Sequence, residues 1–159
     1  MTNDSIEVHA DSQVQATPKK TITLELLDQA GITLHYDDLV DAVKTSVPDC
    51  TPWTVAHSMM AIRGKQLLAW AIWVGERIQG VFITQPVSVG FAGDRGMFIY
   101  ALRGNELEMD QWSEVIDQFS GIARRLNYTR LLAMTKNPRI LEIVTQTGWT
   151  VSSFCEREI

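Results

Sequence analysis

The chain predicts a mixed α/β (α+β) fold: one central mixed sheet that opens as an antiparallel meander, continues as β-α-β-α-β, and carries helices on both faces. Three observations predict it. Between residues 66 and 102 three apolar runs are joined by short connections, which suit antiparallel neighbours. From Asp110 onward the apolar residues recur at helical rather than strand spacing. A strand that follows this helix is brought parallel to the end of the meander by the crossover.

The elements follow in order. Residues 1–20 are rich in Ser, Thr, Asp, Asn and Gln and hold few bulky apolar groups, so they bury too little surface to offset chain entropy. They read as an arm that is disordered alone or ordered on a partner protein, in front of a single domain over 21–159. From Ile22 to Val47, Leu39, Val40, Val43 and Val47 recur as on an amphipathic helix, with Asp37 or Asp38 as its cap and Pro48 as its end. Thr51–Pro52 starts a second helix, a capping hydroxyl followed by proline in the first turn, with Trp53, Ala56, Met60 and Ile62 expected on its inner side.

The meander then runs Gln66 to Val74, a tight Gly75–Glu76–Arg77 turn, Ile78 to Thr84, a glycine-bearing loop, and Arg95 to Leu102. Asp110 to Leu126 places Trp112, Val115, Ile116, Phe119, Ile122, Ala123 and Leu126 on one helix face. Thr129 to Met134 is a short strand. Asn137–Pro138 then caps and opens a helix that runs to Gly148, and Val151 to Cys155 reads as a closing strand.

Composition excludes several functions. The chain has 159 residues, 45% hydrophobic and 21% charged, which is an ordinary globular balance for one domain. Its longest apolar runs, Leu67 to Val74 and Met97 to Leu102, fall short of the roughly 20 residues of a membrane span. The formal charge is −5, and the basic residues are scattered, with Lys19–Lys20 and Arg124–Arg125 the only doublets, so nucleic acid is not an expected partner. The polar N-terminus lacks a signal-peptide pattern, and a cytoplasmic setting is expected. Cys50 and Cys155 have no metal-ligand spacing and read as free thiols.

The order helix, three-strand meander, helix, strand, helix, strand resembles the GNAT acetyltransferase superfamily. Asn137, Ile140, Val144, Gly148 and Trp149 stand at the offsets of that family's fourth-helix signature. With Pro138, they read as a structural motif: a cap, a helix packed on the sheet, a left-handed turn at glycine and an aromatic at the core edge. The resemblance implies an acetyl-CoA site, and here the sequence departs from the family. A working loop wraps the cofactor's pyrophosphate in main-chain N–H groups, which needs glycines because side chains hold the backbone away. This chain reads Leu102-Arg103-Gly104-Asn105-Glu106-Leu107-Glu108-Met109-Asp110, with one early glycine and three carboxylates at the helix start. Those acids suit the helix dipole and repel a diphosphate.

The family's proton-donating tyrosine is replaced by Val144, which has no proton to give. Tyr100 and Glu76 are the remaining candidates for acid or base, and both have simpler roles, Tyr100 in strand packing and Glu76 in turn solvation. His57 reads as a polar contact on its helix and Asp94–Arg95 as loop charge.

Residues 36–159 further resemble small GNAT-like proteins encoded beside head and tail assembly genes of tailed bacteriophages, through Trp53, QLLAWAIWV, VFITQ, FIYALRG and Gly148–Trp149. That resemblance implies a non-catalytic structural or assembly component, without a cofactor, in the virion or the host cytoplasm. Its partners are other virion proteins, held in part through residues 1–20. The alternative is an acetyl-CoA-dependent N-acetyltransferase that holds its cofactor with a divergent loop at Arg103, Gly104 and Asn105.

Overall fold

The computed structural model describes residues 20–90, 93–104, 106–135 and 138–150. All of the expected arm over 1–20 except Lys20, together with Asn105, Asn137 and the closing strand with Cys155, lies outside the described residues.

A five-stranded sheet is built in chain order, β1-β2-β3-β4-β5. It comprises β1 (Ile22–Leu26), β2 (Leu68–Val74), β3 (Arg77–Val89), β4 (Asp94–Arg103) and β5 (Arg130–Ala133). The first three pairings are antiparallel, and β5 joins β4 in parallel, with Gly96↔Arg130 through Ile99↔Ala133. The crossover is made by α4 (Met109–Arg125). Three helices, α1 (Gln29–Leu34), α2 (Tyr36–Ser46) and α3 (Pro52–Arg63), precede the meander, and α5 (Pro138–Gln146) follows β5.

The alternation of β2 divides the core between two faces. Ala69 and Ala71 point toward α1, α2 and α3, where they meet Ile32, Leu39, Val43 and Ile62. Trp70, Ile72 and Val74 point the other way, toward Trp112, Val115 and Phe119 of α4 and Ile143 of α5. At its start the hairpin between β2 and β3 turns on Gly75, whose φ of 63° is a conformation that glycine adopts without cost.

Three expectations are corrected. The lead-in to the first helix contains strand β1, whose five residues pair with β2 from Ile22↔Val74 to Leu26↔Trp70. The helix expected to end at Pro48 is α2, but neither Asp37 nor Asp38 is its cap: His35 holds the cap position and the two acids sit in the first turn, while a further helix, α1, precedes it and is capped by Asp28, which accepts the Gly31 N–H at 2.8 Å. On α3, the Thr51 cap and Pro52 are as expected, with Thr51 accepting the Thr54 N–H. Of the expected inner face only Ile62 holds. Ser58, Met59, Ala61 and Ile62 are buried, whereas Trp53 and Met60 point to solvent and Ala56 is exposed.

Candidate functional site

β4 is the strand on which the site turns. Its pairing with β3 slips between Ile83 and Thr84, whose partners are Ala101 and Ile99, so Tyr100 is an extra residue in the ladder. Such a bulge bends and twists its strand. Beyond Ile99 and Ala133, β4 and β5 no longer pair, and β4 continues to Arg103. The divergence of the two strands leaves a crevice at this end of the sheet.

Side chains occupy it. Ile99 and Leu102 of β4, Leu131 of β5, Trp112 and Val115 of α4 and Val144 of α5 are among its apolar walls, and they leave a cavity of about 50 Å³. That is room for a water or two and far below the roughly 300 Å³ where ligand pockets begin. Trp149 also lines it, just past Gly148, which turns the chain at φ +80°. Val144, where the sequence lacks the acid, is a buried wall of this cavity.

Three main-chain donors around the crevice are engaged within the chain. Leu102 donates its N–H to Ser46 Oγ at 3.0 Å, and the same hydroxyl returns its proton to the Leu102 carbonyl. In the loop after β4, the Leu107 N–H bonds the Gly104 carbonyl at 3.3 Å, and the Glu108 N–H bonds Gln111 Oε1 at 2.9 Å. Gly104 is a glycine for a packing reason: a Cβ there would lie 2.7 Å from the Trp112 ring and 3.1 Å from Leu107. The indole lies against the Cα that a phosphate would have to approach.

Charge reinforces the closure. Arg103 is ion-paired with Asp38 of α2 and lies 3.6 Å from Asp41. Together with Asp38 and Glu106 it lines a polar depression of about 260 Å³ over Gln79 and Gly80. An anion entering there meets two carboxylates and one guanidinium already shared with α2. Glu108 stands at the N-terminus of α4 and Asp110 in its first turn, where they complement the helix dipole.

The candidate acid-base residues are not brought together. Tyr100 is half-buried against the core under α2 and α3, with its hydroxyl 2.9 Å from Ser58 Oγ. Ser58 donates its one proton to the Thr54 carbonyl at 2.8 Å, so it accepts from Tyr100, whose proton is thereby committed. Glu76 is exposed in the β2–β3 turn, and His57 is exposed on α3 with its ring 6.4 Å from that of Trp53. Asp94 and Arg95 are not loop charges. They open β4, where Asp94 lies 3.7 Å from Arg130 and the Arg95 guanidinium stacks over Tyr128 at 4.4 Å. Among the described residues no buried side-chain nitrogen or oxygen lacks a partner.

The sequence reading did not single out Ser46, and nothing local reveals it, because its partner Leu102 is 56 residues away. The role of Trp112 over Gly104 was equally hidden. A large residue following one lone glycine is its only trace.

The fold so defined is that of the GNAT acetyltransferases. The chain superposes with a TM-score of 0.67 on a probable acetyltransferase, at 12% identity over 86% of this chain and 96% of that one. It superposes with 0.65 on the ribosomal-protein-alanine N-acetyltransferase of Brucella melitensis biovar Abortus 2308, at 12% identity over 87% and 99%. A predicted acetyltransferase from Clostridium acetobutylicum, in a structure with acetyl-CoA, gives 0.62 at 12% identity over 87% and 96%. No protein-family model matches the sequence, and no curated protein matches it.

Proposed function

We propose that this chain is a GNAT-fold protein that has no acetyltransferase activity and acts by binding another protein. One observation carries the reading: the loop that would hold the pyrophosphate is closed on itself, with Trp112 against Gly104 and the Leu107 and Glu108 N–H groups bonded within the chain. The filled crevice between β4 and β5 and the carboxylates at Asp38, Glu106 and Glu108 support it. Among the described residues no helix is long and apolar enough to cross a membrane.

Titration of the purified chain with acetyl-CoA is expected to release no saturable heat, and millimolar ligand is expected to leave the melting temperature unchanged. A cofactor at a hundred times its Kd would add about 2.7 kcal/mol to stability, which a thermal scan detects easily. A saturable isotherm, or such a stabilisation, overturns the proposal.

A second reading, an N-acetyltransferase with a divergent loop, is favoured by the depression beside Arg103, where Asp38 and Glu106 offer carboxylates to a cationic amine. The same titration decides it. The bacteriophage setting rests on the sequence resemblance. In that setting the chain is expected to copurify with intact particles or assembly intermediates in stoichiometric amount, and its absence from both sinks this part of the reading.

A further inference from the structure

We propose that the outer face of α3 docks an acidic, amphipathic helical segment of the partner protein, an inference that rests on the binding role proposed above. Trp53 and Met60, seven residues apart on this helix, are 75% and 71% exposed. The helix does not need them for folding, because its opposite side packs on the sheet through Ser58, Met59, Ala61 and Ile62. Between them stands His57, 6.4 Å from the Trp53 ring. One turn beyond Met60, the Arg63 guanidinium lies 5.9 Å from the centre of the Tyr36 ring, itself 38% exposed. Tryptophan, methionine, tyrosine and arginine are the side chains enriched where proteins bury one another, and tryptophan, tyrosine and arginine dominate the energetics of such contacts.

Charge selects the occupant. No aspartate or glutamate occurs from Cys50 to Gly75, while Arg63 and Lys65 follow the apolar pair. The stripe is therefore apolar along its length and cationic at its C-terminal end. Trp53 and Met60 are separated by roughly 10 Å of helix rise. A partner helix with two bulky apolar residues at i and i+7 presents the same spacing, and carboxylates beside the second anchor meet Arg63 and Lys65.

The test selects binders from a random displayed-peptide library on the intact chain. Enriched peptides are expected to carry bulky apolar residues at helical spacing together with Asp or Glu. Trp53→Ala and Met60→Ala are each expected to weaken the selected peptides by about tenfold or more, with melting temperatures unchanged because both side chains face solvent. The double variant Arg63→Glu, Lys65→Glu is expected to shift the selection toward basic peptides. The proposal is overturned if nothing is enriched, if the winners are neutral or basic, or if their binding survives both alanine substitutions. A peptide spelling residues 1–20 that binds α3 more tightly than any selected sequence also overturns it, since the chain would then cover this face itself. The two proposals fail separately: heat from acetyl-CoA removes the non-catalytic reading, whereas an empty selection with a silent acetyl-CoA titration removes only the docking face.

Discussion

Phe119→Ala is expected to lower the unfolding free energy by about 3–5 kcal/mol, the range for deleting a fully buried aromatic. Phe119 is buried at the middle of α4, and its ring meets two others edge-on, Trp70 of β2 at 5.4 Å and Phe82 of β3 at 5.0 Å. Those two rings stack on each other at 5.8 Å. The triad is thus a three-way joint between the crossover helix and two central strands. Truncation removes the ring's burial and its favourable edge-to-face geometry, worth about 0.5–1.5 kcal/mol per pair beyond area. Little can move in to fill the space, because Trp70 is held by its indole N–H on Thr84 Oγ1 at 3.0 Å. Urea unfolding monitored by circular dichroism is the measurement. A fall of the midpoint at constant slope is the expected result, and a loss below about 1 kcal/mol would show that α4 does not depend on this joint.

How much of this was legible in the sequence differs by element, for physical reasons. The meander could be read because β2 and β3 are long apolar runs joined by a turn that needs glycine. The crossover helix could be read because Trp112, Val115, Phe119 and Ala123, all buried, recur at helical spacing. β1 was missed although Ile-Thr-Leu-Glu-Leu alternates apolar and polar as a strand does, because five residues are a short signal and the pairing with β2, more than forty residues on, is an event of tertiary structure. On α3, Ile62 lies inside as expected, whereas Trp53, Ala56 and Met60 face out. The true inner set of half-buried Val55 with Ser58, Met59 and Ile62 has the same periodicity, but a serine interrupts it. That serine is buried at no evident cost because Thr54 and Tyr100 satisfy it.

The site divides in the same way. Missing glycines and added carboxylates are covalent facts of the sequence and could be read directly. The means by which the crevice is closed could not, since Ser46 on Leu102, Arg103 on Asp38 and Trp112 on Gly104 each join side chains of one element to the backbone or charge of another.

Trp112→Ala tests that closure, and is expected to cost about 3–5 kcal/mol without creating an acetyl-CoA site. The indole has two jobs. It is a buried member of the core shared with Phe82 and Phe119, and it is the lid over Gly104. Removing it opens space beside the loop, so a closure that was merely steric would give way to measurable coenzyme binding. Closure here is also electrostatic and made by hydrogen bonds. Glu106 and Glu108 remain beside the entrance, the Leu107 N–H still bonds the Gly104 carbonyl, and Glu108 keeps its bond to Gln111. An incoming diphosphate would have to break those bonds and approach like charge at a helix start, where its attraction to the dipole is only about 0.3–1 kcal/mol per charge at an exposed site. The variant should therefore melt well below the parent and be no more stable in millimolar acetyl-CoA. Rescue of its melting temperature by acetyl-CoA would mean that the ring alone keeps the cofactor out, and the fold would then be an enzyme site with a plug.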